Sequence, residues 1–123
     1  MAERSGGRDH LGDGLARLFL SLWEDDAMRL QLVALVRSSL TSAAAGALLR
    51  EFVTHQLVER LALTLDLPQA RLRATLAGSQ LVGLAVVRYI IGVEPLASAP
   101  VETLVSALAP TLQRYLTGPI ENL

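Results

Sequence analysis

Glu51, His55 and Glu59 stand four residues apart and therefore share one face of any helix that carries them. Carboxylate and imidazole at that spacing could grip a metal ion. One helix cannot complete a coordination shell, however, and no second cluster of His, Asp or Glu is evident. The row reads as a solvated, mildly ion-paired helix face. Ser79 lacks the strand-turn-helix setting and the Gly-x-Ser-x-Gly elbow that would activate it, and neither His10 nor His55 adjoins a nucleophile signature. Gly6-Gly7 has no Lys behind it to make a phosphate-binding loop. No catalytic residue, metal site or cofactor is assigned, and the chain reads as a non-enzyme.

Binding offers more. Gln80 and Arg88 interrupt an otherwise apolar stretch, and Arg37 intrudes on the apolar arc of an earlier helix. A buried, unpaired guanidinium is very costly, so each Arg needs a partner or an outlet to water. The ordinary solution is a salt bridge to Glu51, Glu59 or Glu94, or a side chain that snorkels to the rim. The functional solution is a polar anchor in an apolar ligand pocket. Phe19, Trp23 and Phe52 are most of the aromatic supply; they serve as core filling or as pocket walls. The candidate pocket set is Phe19, Trp23, Val33, Arg37, Phe52, Gln56, Gln80, Leu84 and Arg88.

The elements that position these residues are helices. Of 123 residues 51% are hydrophobic and only 4% aromatic, so the core is built from Leu, Ala and Val, a helix-forming mixture. The first helix is predicted from about Asp9 to Trp23, with Leu11, Leu15, Leu18, Phe19, Leu22 and Trp23 on one face. Asp25 or Asp26 caps a second, from Ala27 to Leu40. Thr41-Ser42 breaks and re-caps the chain into a third, from Ala43 to Leu65. Pro68 opens a fourth, which Gly92 stops at Ile91, and Glu94-Pro95 makes an extended exit. A fifth runs from Pro100 to Leu116, with Pro110 on its polar side. No credible strand or internal repeat is present, and the fold class is all-α.

The fourth helix carries the strongest signal. From Leu76 to Ile91 its apolar positions point in every direction, and a helix without a polar face cannot sit on the surface of a small monomer. It reads as too short and too interrupted for a membrane span of roughly 20 apolar residues. The remaining solution is its own domain on one side and a second copy on the other. Pairing of helices four and five with their two-fold mates makes a four-helix interface. Its candidate residues are Gly78, Val82, Ala85, Val86, Tyr89, Leu104, Leu108, Leu112 and Tyr115.

Net charge is −1 and no basic block exists, which leaves no electrostatic footprint for DNA in this chain. Cysteine is absent, so disulfides and thiolate sites are excluded. Met1 to Asp9 is polar and Gly-rich, unlike a signal peptide. All eleven basic residues are Arg, a bias expected of a G/C-rich bacterial genome. The expected organisation is a flexible lead-in over 1–9, one domain over 10–117 and a tail over 118–123, in a cytoplasmic protein.

An ordered set of segments carries a family resemblance. Leu22-Trp23-Glu24-Asp25, Leu48-Leu49-Arg50-Glu51-Phe52, Gly78-Ser79-Gln80-Leu81-Val82-Gly83-Leu84, Arg88-Tyr89, Val93-Glu94-Pro95-Leu96-Ala97 and the run from Leu108 to Leu116 resemble the C-terminal regulatory domain of TetR-family transcriptional repressors, in a mostly actinobacterial subgroup. The resemblance covers about Leu11 to Leu116. It implies an all-helical domain that dimerises through its last two helices and holds a small, hydrophobic effector, whose binding releases operator DNA. Operator reading is expected only through a helix-turn-helix segment that this sequence lacks. Two other readings remain at this stage: a free-standing carrier of small hydrophobic ligands, and a dimerisation module that pairs with full-length repressors.

Overall fold

A computed structural model describes residues 9–121, and every regular element in that range is helical. Helix α1 spans Leu11–Glu24 and α2 spans Asp26–Thr41. Helix α3 begins as Ala43–Phe52, loosens into a π-helical stretch over Val53–Val58 and closes as Glu59–Leu65. Helix α4 runs over Ala70–Ala85 and continues as a π-helical stretch over Val86–Ile91. Helix α5 spans Val101–Thr117, with Pro110 exposed inside it. The expected lead-in lies, except for Asp9, outside the described residues.

Local chemistry sets most of the helix ends. The Asp25 carboxylate accepts from the Met28 amide at 2.8 Å, and the Ser42 hydroxyl accepts from the Ala45 amide at 3.2 Å. Each satisfies one of the amides left without a partner in a first turn. Gly92 ends α4 at φ 78°, in the left-handed region that a Cβ disfavours. Two expectations are corrected here. Helix α4 starts at Ala70 rather than Pro68, because Asp66 and Gln69 both hold positive φ and delay helix entry. The segment after Gly92 is a turn over 94–98 rather than an extended exit. Its Ala97 amide donates to the Val93 carbonyl and its Ser98 amide to the Glu94 carboxylate.

The core lies between α1, α4 and α5, with the end of α3 against it. Ala16 and Leu20, Leu65, Ala77, Leu81 and Leu84, and Leu104, Val105, Leu112 and Leu116 make one buried cluster. Helix α1 turns inward one edge of its apolar arc, Leu11, Leu15, Phe19 and Trp23, together with its small-residue side. Gly12, Ala16, Leu20 and Trp23 are buried, while Leu18 and Leu22 stay exposed. The cause is close backbone approach: a Cβ on Gly12 would lie 2.3 Å from the Ala109 carbonyl oxygen. The small-residue side of α1 therefore becomes the contact with α5, sealed by the Gly12 amide donating to Gln113 Oε1 at 2.8 Å.

Arg73 fastens the far end, its Nη1 donating to the carbonyls of Tyr115 and Gly118. Between Asp26 and Thr64 no residue is buried, so α2 and most of α3 form an arm outside the core. A further expectation is corrected: helix α4 is not too short for a membrane span. At 22 residues, Ala70–Ile91 is long and apolar enough, by length and composition alone, to cross a membrane. Its inward side is already filled by the chain's own core through Ala77, Leu81 and Leu84.

Candidate functional site

The end of α1 and the π-helical end of α4 meet in an aromatic and charged cluster. Trp23, on the buried face of α1, stacks on Tyr89 with ring centroids 5.2 Å apart and planes 19° from parallel. Phe19, one turn earlier, tilts against Trp23 at 6.1 Å. Arg88 adjoins Tyr89 in the stretch Val86–Ile91, a helix form met often at functional sites. Its guanidinium carbon sits 5.2 Å from the Tyr89 ring centroid.

Arg88 is the one charged residue buried among those described, at 9% exposure. Its Nη1 donates to two carbonyls of the α4–α5 connection, Leu96 at 2.7 Å and Ala99 at 2.8 Å. Its Nη2 reaches Glu24 Oε2 at 3.3 Å, and its Nε is buried without a hydrogen-bond partner. The same Glu24 oxygen accepts a 2.6 Å bond from the Tyr89 hydroxyl. One carboxylate at the last residue of α1 thus joins α4 through two neighbouring side chains. The expected partners of Arg88 were Glu51, Glu59 and Glu94, and the structure corrects this. Glu59 pairs with Arg71 at 2.9 Å and Glu94 caps its own turn.

The electrostatics follow from this geometry. The Tyr89 hydrogen bond, aided by Arg88, holds the Glu24 carboxyl below its ordinary range although partial burial opposes it. Burial first, and then the bond to Glu24, pushes the Tyr89 hydroxyl up to about 12. Burial works against the charge on Arg88, but the Tyr89 and Glu24 contacts outweigh it and raise its pKa.

Of the nine expected pocket residues, the structure brings Phe19, Trp23 and Arg88 together, with Leu84 buried in the adjoining core. Val33 and Arg37 lie on α2, and Phe52 and Gln56 on α3, away from that cluster. Phe52 is 52% exposed, and Arg37, Gln56 and Gln80 are exposed as well. A recess of about 400 Å³ lies between α2 and α3, lined by Ser39, Gly46, Leu49, Arg50, Val53 and Thr54. None of the nine lines it. Glu24 was missed as a site residue because nothing local marks it: it lies 64 residues from Arg88.

The nine expected interface residues divide in three. Ala85, Leu104 and Leu112 are buried in the chain's own core and cannot meet a partner. Tyr89 and Leu108 are partly buried against that core, as is Tyr115. Gly78 and Val86 are half-buried and Val82 is 55% exposed, so these three face outward. Ile91, the last residue of α4, is 64% exposed, and Val93 just beyond it is exposed as well. Among the described residues no group of three or more His, Cys, Asp or Glu is placed to hold a metal ion.

A family model described as the tetracyclin repressor-like C-terminal domain matches residues 9–116. The chain belongs to that family. No curated protein and no solved structure matches it. The matched span runs from just before α1 into the last turn of α5, so the cluster and all of α4 lie within it.

Proposed function

We propose that this member of the tetracyclin repressor-like C-terminal family is a homodimeric sensor of a small, hydrophobic effector in a cytoplasmic bacterial repressor. Membership of that family supports a regulatory role. On this reading, operator recognition falls to a helix-turn-helix segment separate from the matched residues 9–116. One domain over 10–117 does the sensing and the pairing.

The observation that carries the reading is the two-sided character of α4. One side is filled by Ala77, Leu81 and Leu84, while Val82 and Ile91 on the same helix, and Val93 just past its end, stay in water. Exposing an apolar end that size is unfavourable for a lone molecule, and a two-fold mate relieves it. Helix α4 then serves as the fixed element, and α1 as the moving one. An effector that prefers a shifted α1 acts on whatever α1 carries, by no more than its difference in affinity between the two positions.

Sedimentation at micromolar concentration tests the pairing. A dimer is expected, and a 13.2 kDa species alone overturns it. Trp23 emission, titrated with a diverse panel of hydrophobic compounds, tests the sensing. Silence across the panel overturns that half.

A further inference from the structure

Resting on the sensor reading, we propose that the effector is an apolar monocarboxylate that takes the place of Glu24 on Arg88. The guanidinium is held in place without Glu24, because Nη1 is fully occupied by the carbonyls of Leu96 and Ala99. Its other edge, Nη2 with Nε, is the edge that pairs side by side with both oxygens of a carboxylate, at about 2.8 Å. Glu24 uses that edge poorly. It offers one oxygen to Nη2 at 3.3 Å, that oxygen is drawn to the Tyr89 hydroxyl at 2.6 Å, and Nε is left unpaired.

The occupant is also the movable member. Glu24 is the last residue of α1 and its side chain is 42% exposed, so it can return to water at little cost. A carboxylate in its place finds a buried cation, a vacant donor and the stacked rings of Trp23 and Tyr89 beside it. A charged head with an apolar body fits that combination; a neutral apolar compound leaves the donor unpaired. Because Glu24 also ties α1 to α4, its displacement frees the end of α1. Recognition and release become one event.

Trp23 is the only tryptophan, so its emission reports on the site directly. The probes are decanoate and decan-1-ol, below the concentrations at which they aggregate, at pH 7.5. Decanoate is expected to bind at least about tenfold more tightly than the alcohol. Glu24→Gln keeps an oxygen for Tyr89 but removes the competing charge, and should tighten decanoate binding several-fold. Glu51→Gln, an equal change of charge on exposed α3, should leave it unchanged. Equal binding of acid and alcohol, or no gain in Glu24→Gln beyond that in Glu51→Gln, overturns the carboxylate assignment while the hydrophobic sensor stands. Binding of neither probe overturns the assignment too, and the wider panel then decides the sensor reading separately.

Discussion

Trp23 and Tyr89, on helices α1 and α4, stack at 5.2 Å, and the carboxylate next to Trp23 accepts the hydroxyl proton of that same Tyr89. The ring contact and the hydrogen bond therefore depend on one side chain. Tyr89→Phe separates them. The stack should persist while the bond to Glu24 is lost, lowering stability by about 1 kcal/mol. Tyr89→Ala should remove both and shift Trp23 emission to longer wavelength. If the Phe variant already shows the full emission shift, the stack is not what shelters Trp23.

The same pair sets a pH window. The pKa of Glu24 is lower in the fold than in the unfolded chain, so its contribution is present above the ordinary carboxylate range and disappears as pH falls through the depressed value. The pKa of Tyr89 is higher in the fold, so its contribution is complete below about 10, the ordinary tyrosine value, and vanishes as pH rises towards about 12. Near-UV circular dichroism of Trp23 should be flat between these limits and fall at both ends. Glu24→Gln should remove the acid limb attributable to this group. An acid limb unchanged in that variant assigns it to other carboxylates.

Gly12→Ala should be among the most damaging small substitutions in the chain. The new methyl would meet backbone, at 2.3 Å from the Ala109 oxygen and 2.7 Å from the Gln113 nitrogen, and backbone does not yield as a side chain does. A loss of about 1–3 kcal/mol is expected. Gly14→Ala, two residues on in the same helix and facing open space, should instead gain up to about 1 kcal/mol from helix propensity. Thermal melts of the two variants should move in opposite directions. Equal shifts would mean that α1 and α5 do not approach as closely as described.

Charge placed on the outer side of α4 tests the pairing without touching the core. Val82→Glu, at an exposed position, should leave helical content intact and convert the dimer to monomer in sedimentation. The same substitution at Leu81 lies in the core and should unfold the chain. A dimer that survives Val82→Glu places the interface elsewhere.

The parts of this molecule that were legible in the sequence are those decided within a few residues. The caps at Asp25 and Ser42 and the stop at Gly92 each need only a side chain or a φ value and the next turn of backbone. The all-helical fold follows from periodicity, which is also local. What escaped is decided across the fold. Glu24 is indistinguishable in sequence from Glu51, Glu59 or Glu94 as a partner for Arg88, and only the crossing of α1 over the end of α4 selects it. The burial of the small-residue side of α1 was hidden for a related reason. An apolar arc shows which side avoids water, whereas the depth of approach is set by where a neighbour finds no side chain, here at Gly12. Pro68 misled because two left-handed residues around it outweigh its own preference for a first turn.

Hydrogen exchange should divide the chain along the same lines. Amides of Leu104–Leu116 and Ala77–Leu84, inside the core, should exchange only on global unfolding, and those of α2 at far lower opening free energy. Uniform protection across both regions would show that the arm is clamped as firmly as the core.

That unburied arm gives the domain an unequal tolerance of change. From Asp26 to Thr64 no side chain is sealed from solvent. Apart from Leu61, which packs on the core, and Arg29, which holds the last carbonyls of α1, replacing residues there therefore costs little. The tightly interlocked α1, α4 and α5 allow little variation. A lineage can therefore rewrite the lining of the α2–α3 recess many times over while keeping one hub, and descendants of this chain would differ most in the arm.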